Sequence, residues 1–166
     1  MQTPIPGTIV RKATPADGET ILRLVEGLAK YEKLPPPDVS AQQRLLQDMF
    51  GIHPRIEAFL GECDGTPAGY AFVFETYSSF LALPTLYLED IFVLPEFRNR
   101  KLGFALFRHL VSEAMDRGCG RMEWTVLDWN SHAIDFYKRL DAKHMHQWQL
   151  FRMVRSEMET LLTPEK

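Results

Sequence analysis

Cysteine is scarce in this chain. Cys63 and Cys119 are its two cysteines, and they carry no metal-ligand spacing. No signal peptide opens the sequence, so the expectation is a reducing, cytoplasmic setting with both thiols free. Long apolar runs are absent too. Nothing approaches the roughly 20 residues of a membrane-spanning helix, so no membrane partner is expected. Neither sign of charge dominates. The formal net charge is −3, which gives no general attraction to nucleic acid. The five histidines include one i,i+2 pair, His144 and His146. No further ligand falls in step with them, so no metal site is expected. There is no internal repeat and no low-complexity tract.

What remains is the pattern of an ordinary folded domain, 45% hydrophobic and 25% charged. At 166 residues it has room for one good core, so a single domain over 1–166 is expected, with 1–7 as a flexible arm. Thr8 to Lys12 reads as a first strand. Thr14-Pro-Ala-Asp17 has the cap, the N1 proline and the acid of a helix start, and Pro35-Pro-Pro37 forbids continuation beyond about Lys33. Ser40-Ala-Gln-Gln43 reads as a capping box opening a second helix, which Gly51 stops. Arg55 to Cys63 and Pro67 to Thr76 read as strands joined by the hairpin signal Asp64-Gly65. Thr85 to Leu94 reads as a central strand. Leu102, Ala105, Leu106, Leu110 and Ala114 form a helical stripe ended by Gly118. Arg121 to Leu127 reads as a strand, Ser131 to Leu140 as a helix, 144–153 as one or two last strands, and Arg155 to Leu162 as a closing helix. Early hairpins and late β-α-β units predict an α/β fold with a mixed sheet and helices on both faces.

Two segments carry the chemistry. The first is the strand Tyr87-Leu-Glu-Asp-Ile-Phe-Val93, followed by the basic turn 98–103 and a helix. Backbone N–H groups converging at a helix start bind phosphate well, and Arg98, Arg100 and Lys101 add positive charge. Gly103 permits close approach to the main chain. Glu89 and Asp90 are adjacent carboxylates in an apolar run. Alternation sends them to opposite faces, and a buried carboxylate needs a partner or a task. A structural role weighs more for Asp90 than for Glu89. The second segment, Val126-Leu-Asp-Trp-Asn130, leads into a helix bearing Tyr137. Its polar start lets the first helical turn face a cleft, with the Tyr137 phenol available for proton transfer.

These residues resemble the GNAT superfamily of acetyl-CoA-dependent N-acetyltransferases, and within it the diamine branch of spermidine/spermine and thialysine N-acetyltransferases. The resemblance rests on Ile9-Val-Arg-Lys-Ala-Thr-Pro-Ala-Asp17, Leu28-Ala-Lys-Tyr-Glu32, Tyr87-Leu-Glu-Asp-Ile-Phe-Val93, Val126-Leu-Asp-Trp-Asn130 and Ala133-Ile-Asp-Phe-Tyr-Lys138. It spans about 8–152. It implies a mixed, V-shaped sheet of six to seven strands, with acetyl-CoA as acetyl donor. The pantetheine arm would lie near Ile91, Phe92 and Val93. Arg98, Asn99, Arg100, Lys101, Leu102, Gly103 and Phe104 would serve the pyrophosphate. Asn130, Ser131 and Ala133 would contact the far end of the cofactor. Tyr31, Glu32 and Glu89 would line the amine site, with Glu89 as base and Tyr137 as proton donor. A homodimer is also implied.

Two departures from the family pattern matter. Lys101 stands where the turn Arg-x-x-Gly-x-Gly has its first glycine, which weakens the cofactor site if the backbone there needs a positive φ. Lys143-His-Met-His-Gln-Trp148 lacks the acid that polyamine enzymes carry before the tryptophan. The acceptor expected is therefore a lysine-like amino acid or a short diamine. Two other readings are a non-catalytic CoA-binding regulatory module and an acetyltransferase acting on a protein amine.

Overall fold

The computed structural model describes residues 5–163. The chain divides into two compact units at Thr125/Val126. Residues 1–4 of the expected arm lie outside the described residues.

The first unit is built on five strands: β1 (Thr8–Lys12), β2 (Glu57–Cys63), β3 (Thr66–Ser78), β4 (Leu83–Val93) and β5 (Arg121–Trp124). They lie in the order β1-β2-β3-β4-β5. The first four are antiparallel neighbours, and β5 joins β4 in parallel. The sheet is therefore mixed, as the sequence predicts. The β2–β3 turn falls on Asp64 and Gly65, both at positive φ (49° and 77°), the geometry of a two-residue hairpin.

Helices cover both faces of this sheet. On one face lie α1 (Gly18–Glu32) and α2 (Val39–Phe50). There Ile21, Leu24 and Met49 pack with Ala58, Leu60, Tyr70, Phe72 and Phe92. On the other face lies α3 (Leu102–Asp116). Its Leu102 and Leu106 reach so close to Gly61 that a β-carbon there would sit 2.8 Å from Leu102 Cδ1. Glycine at 61 is what lets α3 seat on the sheet.

Several boundaries differ from the sequence reading. Thr14 opens a short 3₁₀ turn, Pro15–Asp17, with α1 starting only at Gly18. The Thr14 N–H and hydroxyl both donate to Asp17. The cap of α2 is Asp38, not Ser40: its carboxylate accepts from the Ala41 N–H at 2.8 Å. Ser40 already lies inside the helix, where its hydroxyl accepts from Arg44. α1 ends as expected at Lys33, in the left-handed region at φ 59°.

The second unit contains α4 (Ser131–Arg139) and α5 (Arg155–Leu162). The strands expected over 144–153 are not formed, and the described residues hold five strands rather than six to seven. The apolar side chains that suggest them are solvent-exposed, with Trp148 at 75% and Phe151 at 86%. A strand there would need an edge to pair with, and none of the sheet pairings includes this segment.

Candidate active site

The site begins with an irregularity in β4. Phe72 pairs with Asp90, but Val73 pairs with Leu88. Glu89 is therefore an extra residue, a β-bulge on β4. The bulge changes which face the acids reach. Leu88 shares the α3 face with Val73 and Gly69, whereas Asp90 shares the α1 face with Phe72 and Phe92. A regular strand would put Leu88 and Asp90 on one face. The bulged Glu89 side chain is exposed to solvent.

Asp90 accepts a hydrogen bond from the buried Tyr70 hydroxyl at 3.1 Å. Burial pushes its carboxyl up to about 6, against the lowering effect of that bond, and the charges of Glu89 and Glu32 push it further in the same direction. Burial also raises Glu32, at the C-terminal end of α1. Desolvation, reinforced by Asp90, holds the Tyr70 phenol well above its ordinary range. Glu32, Glu89 and Asp90 thus form one electrostatically interacting acidic cluster. Asp90 is the member that the sequence undervalues. Two adjacent acids in an apolar strand are visible there, but the bulge that turns Asp90 toward α1 is not.

The second component is a free strand edge. The β4–β5 pairing stops at Leu88 and Trp124. Beyond it, Glu89–Val93 has no strand partner on that side among the described residues. The Leu94 N–H donates to Ala68 O across β3. Antiparallel ladders alternate, so the main-chain groups of Val93 and Ile91 point away from β3, to the open edge. Arg98 agrees with that direction: its Nε donates to the Val93 carbonyl at 3.2 Å. The Ile91 N–H faces the same edge.

The third component is the turn into α3. Its backbone is held by two non-glycine residues at positive φ, Asn99 (65°) and Lys101 (62°). The condition raised by Lys101 is met: the glycine position does need the left-handed conformation. The N–H groups of Leu102, Gly103 and Phe104 precede the first helical bond, from Ala105 to Lys101 O, so the helix leaves them unpaired. Leu102 is buried and offers only its main chain. At Gly103 a β-carbon would meet nothing closer than Val93 Cγ2 at 3.8 Å. The fold itself does not require glycine there. The cations of the turn differ. Arg100 leans on Phe97 and lies 3.5 Å from Asp64, Arg98 turns inward to Val93 and Tyr31, and Lys101 is exposed.

The remaining predicted residues belong to the second unit. Asn130 caps α4, its side chain accepting from the Ala133 N–H at 3.3 Å. Ser131 is the first residue of that helix. Tyr137 stands edge-on to Phe136, and burial pushes its phenol up to about 12. The phenol is therefore neutral and proton-bearing at physiological pH. Neither cysteine belongs to this constellation. Cys63 is buried and free, and burial raises the Cys119 thiol, so it is not an activated nucleophile. No metal-ligating cluster and no membrane-length apolar helix occurs among the described residues.

An open strand edge beside a helix-start turn can pair with an extended, amide-bearing, anionic ligand, and an acidic cluster attracts a cation. Residues 24–142 match the acetyltransferase (GNAT) family. The chain belongs to that family, and is an acetyl-CoA-dependent N-acetyltransferase. Thialysine N-epsilon-acetyltransferase of Sus scrofa is 32% identical, over 92% of this chain and 96% of its own length. Among solved structures, the integron cassette protein VCH_CASS6 from the V. cholerae mobile metagenome superposes with a TM-score of 0.79. It is 18% identical, over 95% of this chain and 99% of its own. AAC(6')-Iy in complex with the bisubstrate analog CoA-S-monomethyl-acetylneamine superposes at 0.71, with 19% identity over 89% and 98% of the two chains.

Proposed function

We propose that this acetyltransferase acts on a primary amine of a lysine-like amino acid or a short diamine, by direct attack of the neutral amine on acetyl-CoA. The observation that carries the reading is the acidic cluster beside the open β4 edge, which puts cation recognition next to a free main-chain N–H. The similarity to the thialysine enzyme across nearly the whole chain supports the substrate class.

The steps follow from the chemistry of each group. An alkylamine has a pKa of roughly 10 and arrives protonated at neutral pH. Glu32 and Asp90 hold the cation. Glu89, exposed on its bulge, takes the proton through solvent. The amine lone pair then attacks the thioester carbon. The Ile91 N–H donates to the carbonyl oxygen as it gains charge. As the C–S bond breaks, Tyr137 gives its phenolic proton to the departing sulfur, and the proton shed by the newly acylated nitrogen passes through solvent to restore the phenol. Ile91 to Val93 would hold the pantetheine arm and Asn99 to Phe104 the pyrophosphate, with Lys101 adding charge. Asn130, Ser131 and Ala133 would contact the far end of the cofactor.

The two units act as one domain in this reading, and the family match supports it by running across their boundary. A homodimer is part of the same proposal. Exposed Trp148, Leu150 and Phe151 are apolar surface for a second copy to cover. The setting is the cytoplasm, where both thiols stay reduced.

Tyr137→Phe tests the reading. Turnover at saturating acetyl-CoA should fall about 100-fold or more, while acetyl-CoA affinity by calorimetry stays within about twofold. Unchanged turnover would remove Tyr137 from the proton-transfer step.

A further inference from the structure

Arg98 connects the candidate cofactor turn to the candidate amine site. Its backbone belongs to the turn before α3, but its side chain folds back. The guanidinium carbon lies 4.7 Å from the centroid of the Tyr31 ring on α1 and 5.9 Å from that of Phe92 on β4. Its Nε donates to the Val93 carbonyl on the open edge. Stacking over two aromatic faces is favourable for a guanidinium, and the hydrogen bond fixes its orientation.

What Arg98 holds is the last turn of α1. Tyr31 is followed by Glu32, the end of the helix, and then by left-handed Lys33 and a proline run. No further helical turn pins Glu32 from beyond. The Tyr31 and Phe92 rings lie 6.5 Å apart, and Phe92 lies 6.5 Å from Tyr70, the donor to Asp90. The Phe92 ring also packs so tightly on Gly27 that a β-carbon there would meet it at 2.9 Å. The guanidinium thus closes a packed path from the turn, over Tyr31 and Phe92, to the acids.

We infer that Arg98 is a positioning residue for amine recognition: it sets the place of Tyr31 and Glu32 relative to the β4 edge. This rests on the proposed amine site, and it differs from the phosphate-contact role that the residue's position in the basic turn implies. The ring, not the phenol oxygen, is what the guanidinium stands on. Loss of the guanidinium therefore weakens amine use through Tyr31.

The test is a double-mutant cycle on kcat/KM for the amine at saturating acetyl-CoA, using Arg98→Met, Tyr31→Leu and the pair, with Tyr31→Phe and Arg98→Lys as conservative variants. The Met side chain keeps an apolar stem and loses the charge and the donor. Each single change should lower kcat/KM mainly through a higher amine KM. The pair should lose about fivefold less than the product of the two, the size of a partly buried cation–π contact. Tyr31→Phe should retain the coupling to Arg98, and Arg98→Lys should recover part of the loss. Calorimetric acetyl-CoA affinity and urea unfolding, measured on the same variants, separate these effects from cofactor loss and misfolding. Multiplicative effects on an active wild type would overturn the inference alone, as would an effect of Arg98→Met confined to acetyl-CoA affinity. A wild type that acetylates no amine would remove the proposed function and this inference with it.

Discussion

Asp90 carries a cost that a single substitution can expose. Burial, reinforced by Glu89 and Glu32, raises its carboxyl from 3.8 to about 6 despite the bond from Tyr70. A carboxyl raised on folding binds its proton more tightly in the folded chain, so its ionisation destabilises the fold. A tenfold difference in proton affinity between the folded and unfolded chain is worth about 1.4 kcal/mol. With values of 3.8 unfolded and about 6 folded, the penalty is about 3 kcal/mol at pH 8, about half of that at pH 5, and small by pH 4. Asp90→Asn keeps the shape and an acceptor for the Tyr70 hydroxyl while removing the charge. The variant should therefore be more stable than the wild type at pH 8, by about 3 kcal/mol or several degrees in Tm, and the gain should shrink as the pH falls. Urea unfolding of both proteins at pH 8, 6.5 and 5 measures it. The same change should raise the amine KM, because a cation loses a half-buried partner. Stability traded for recognition is the pattern expected at a functional carboxylate. Equal or lower stability of Asp90→Asn at pH 8 would mean that Asp90 is stabilised as a charge, the opposite of a destabilising buried carboxylate.

Two other positions give sharp expectations. Lys101→Gly relieves a left-handed backbone at φ 62°, so it should raise unfolding stability by about 1 kcal/mol. It should also flatten the salt dependence of acetyl-CoA affinity, because a cation leaves the turn; an unchanged salt slope would show that Lys101 does not meet the phosphates. Thr85 is fully buried, and its hydroxyl has no hydrogen-bond partner among the described residues. Thr85→Val should therefore stabilise the chain by about 1 kcal/mol in urea unfolding, and a loss would reveal a partner for that hydroxyl.

Much of the fold can be read from local rules. The Asp64-Gly65 hairpin, the α1 stop before the proline run and the Leu102–Ala114 stripe are each dictated by a few adjacent residues. The 144–153 segment misleads because aromatic and apolar content signals burial in general, and does not say whether a sheet edge is available to receive it. The candidate site divides in the same way. Glu32, Glu89, Tyr137 and the basic turn stand out by residue type and by resemblance. The face that Asp90 occupies depends on a one-residue bulge, and the fate of Arg98 depends on where α1 packs. Both are set by tertiary packing, which no local pattern encodes.

Amine acetylation itself is the most direct thing to measure. Thiol release from acetyl-CoA should be measured with thialysine, lysine, ornithine, short diamines, spermidine and spermine, with the acetylated product identified by mass. Turnover is expected with a lysine-like amino acid or a short diamine, with one acetylated amine formed per thiol released, and little with spermine. Thiol release that is independent of any amine, or a preference for the long polyamines, would contradict it.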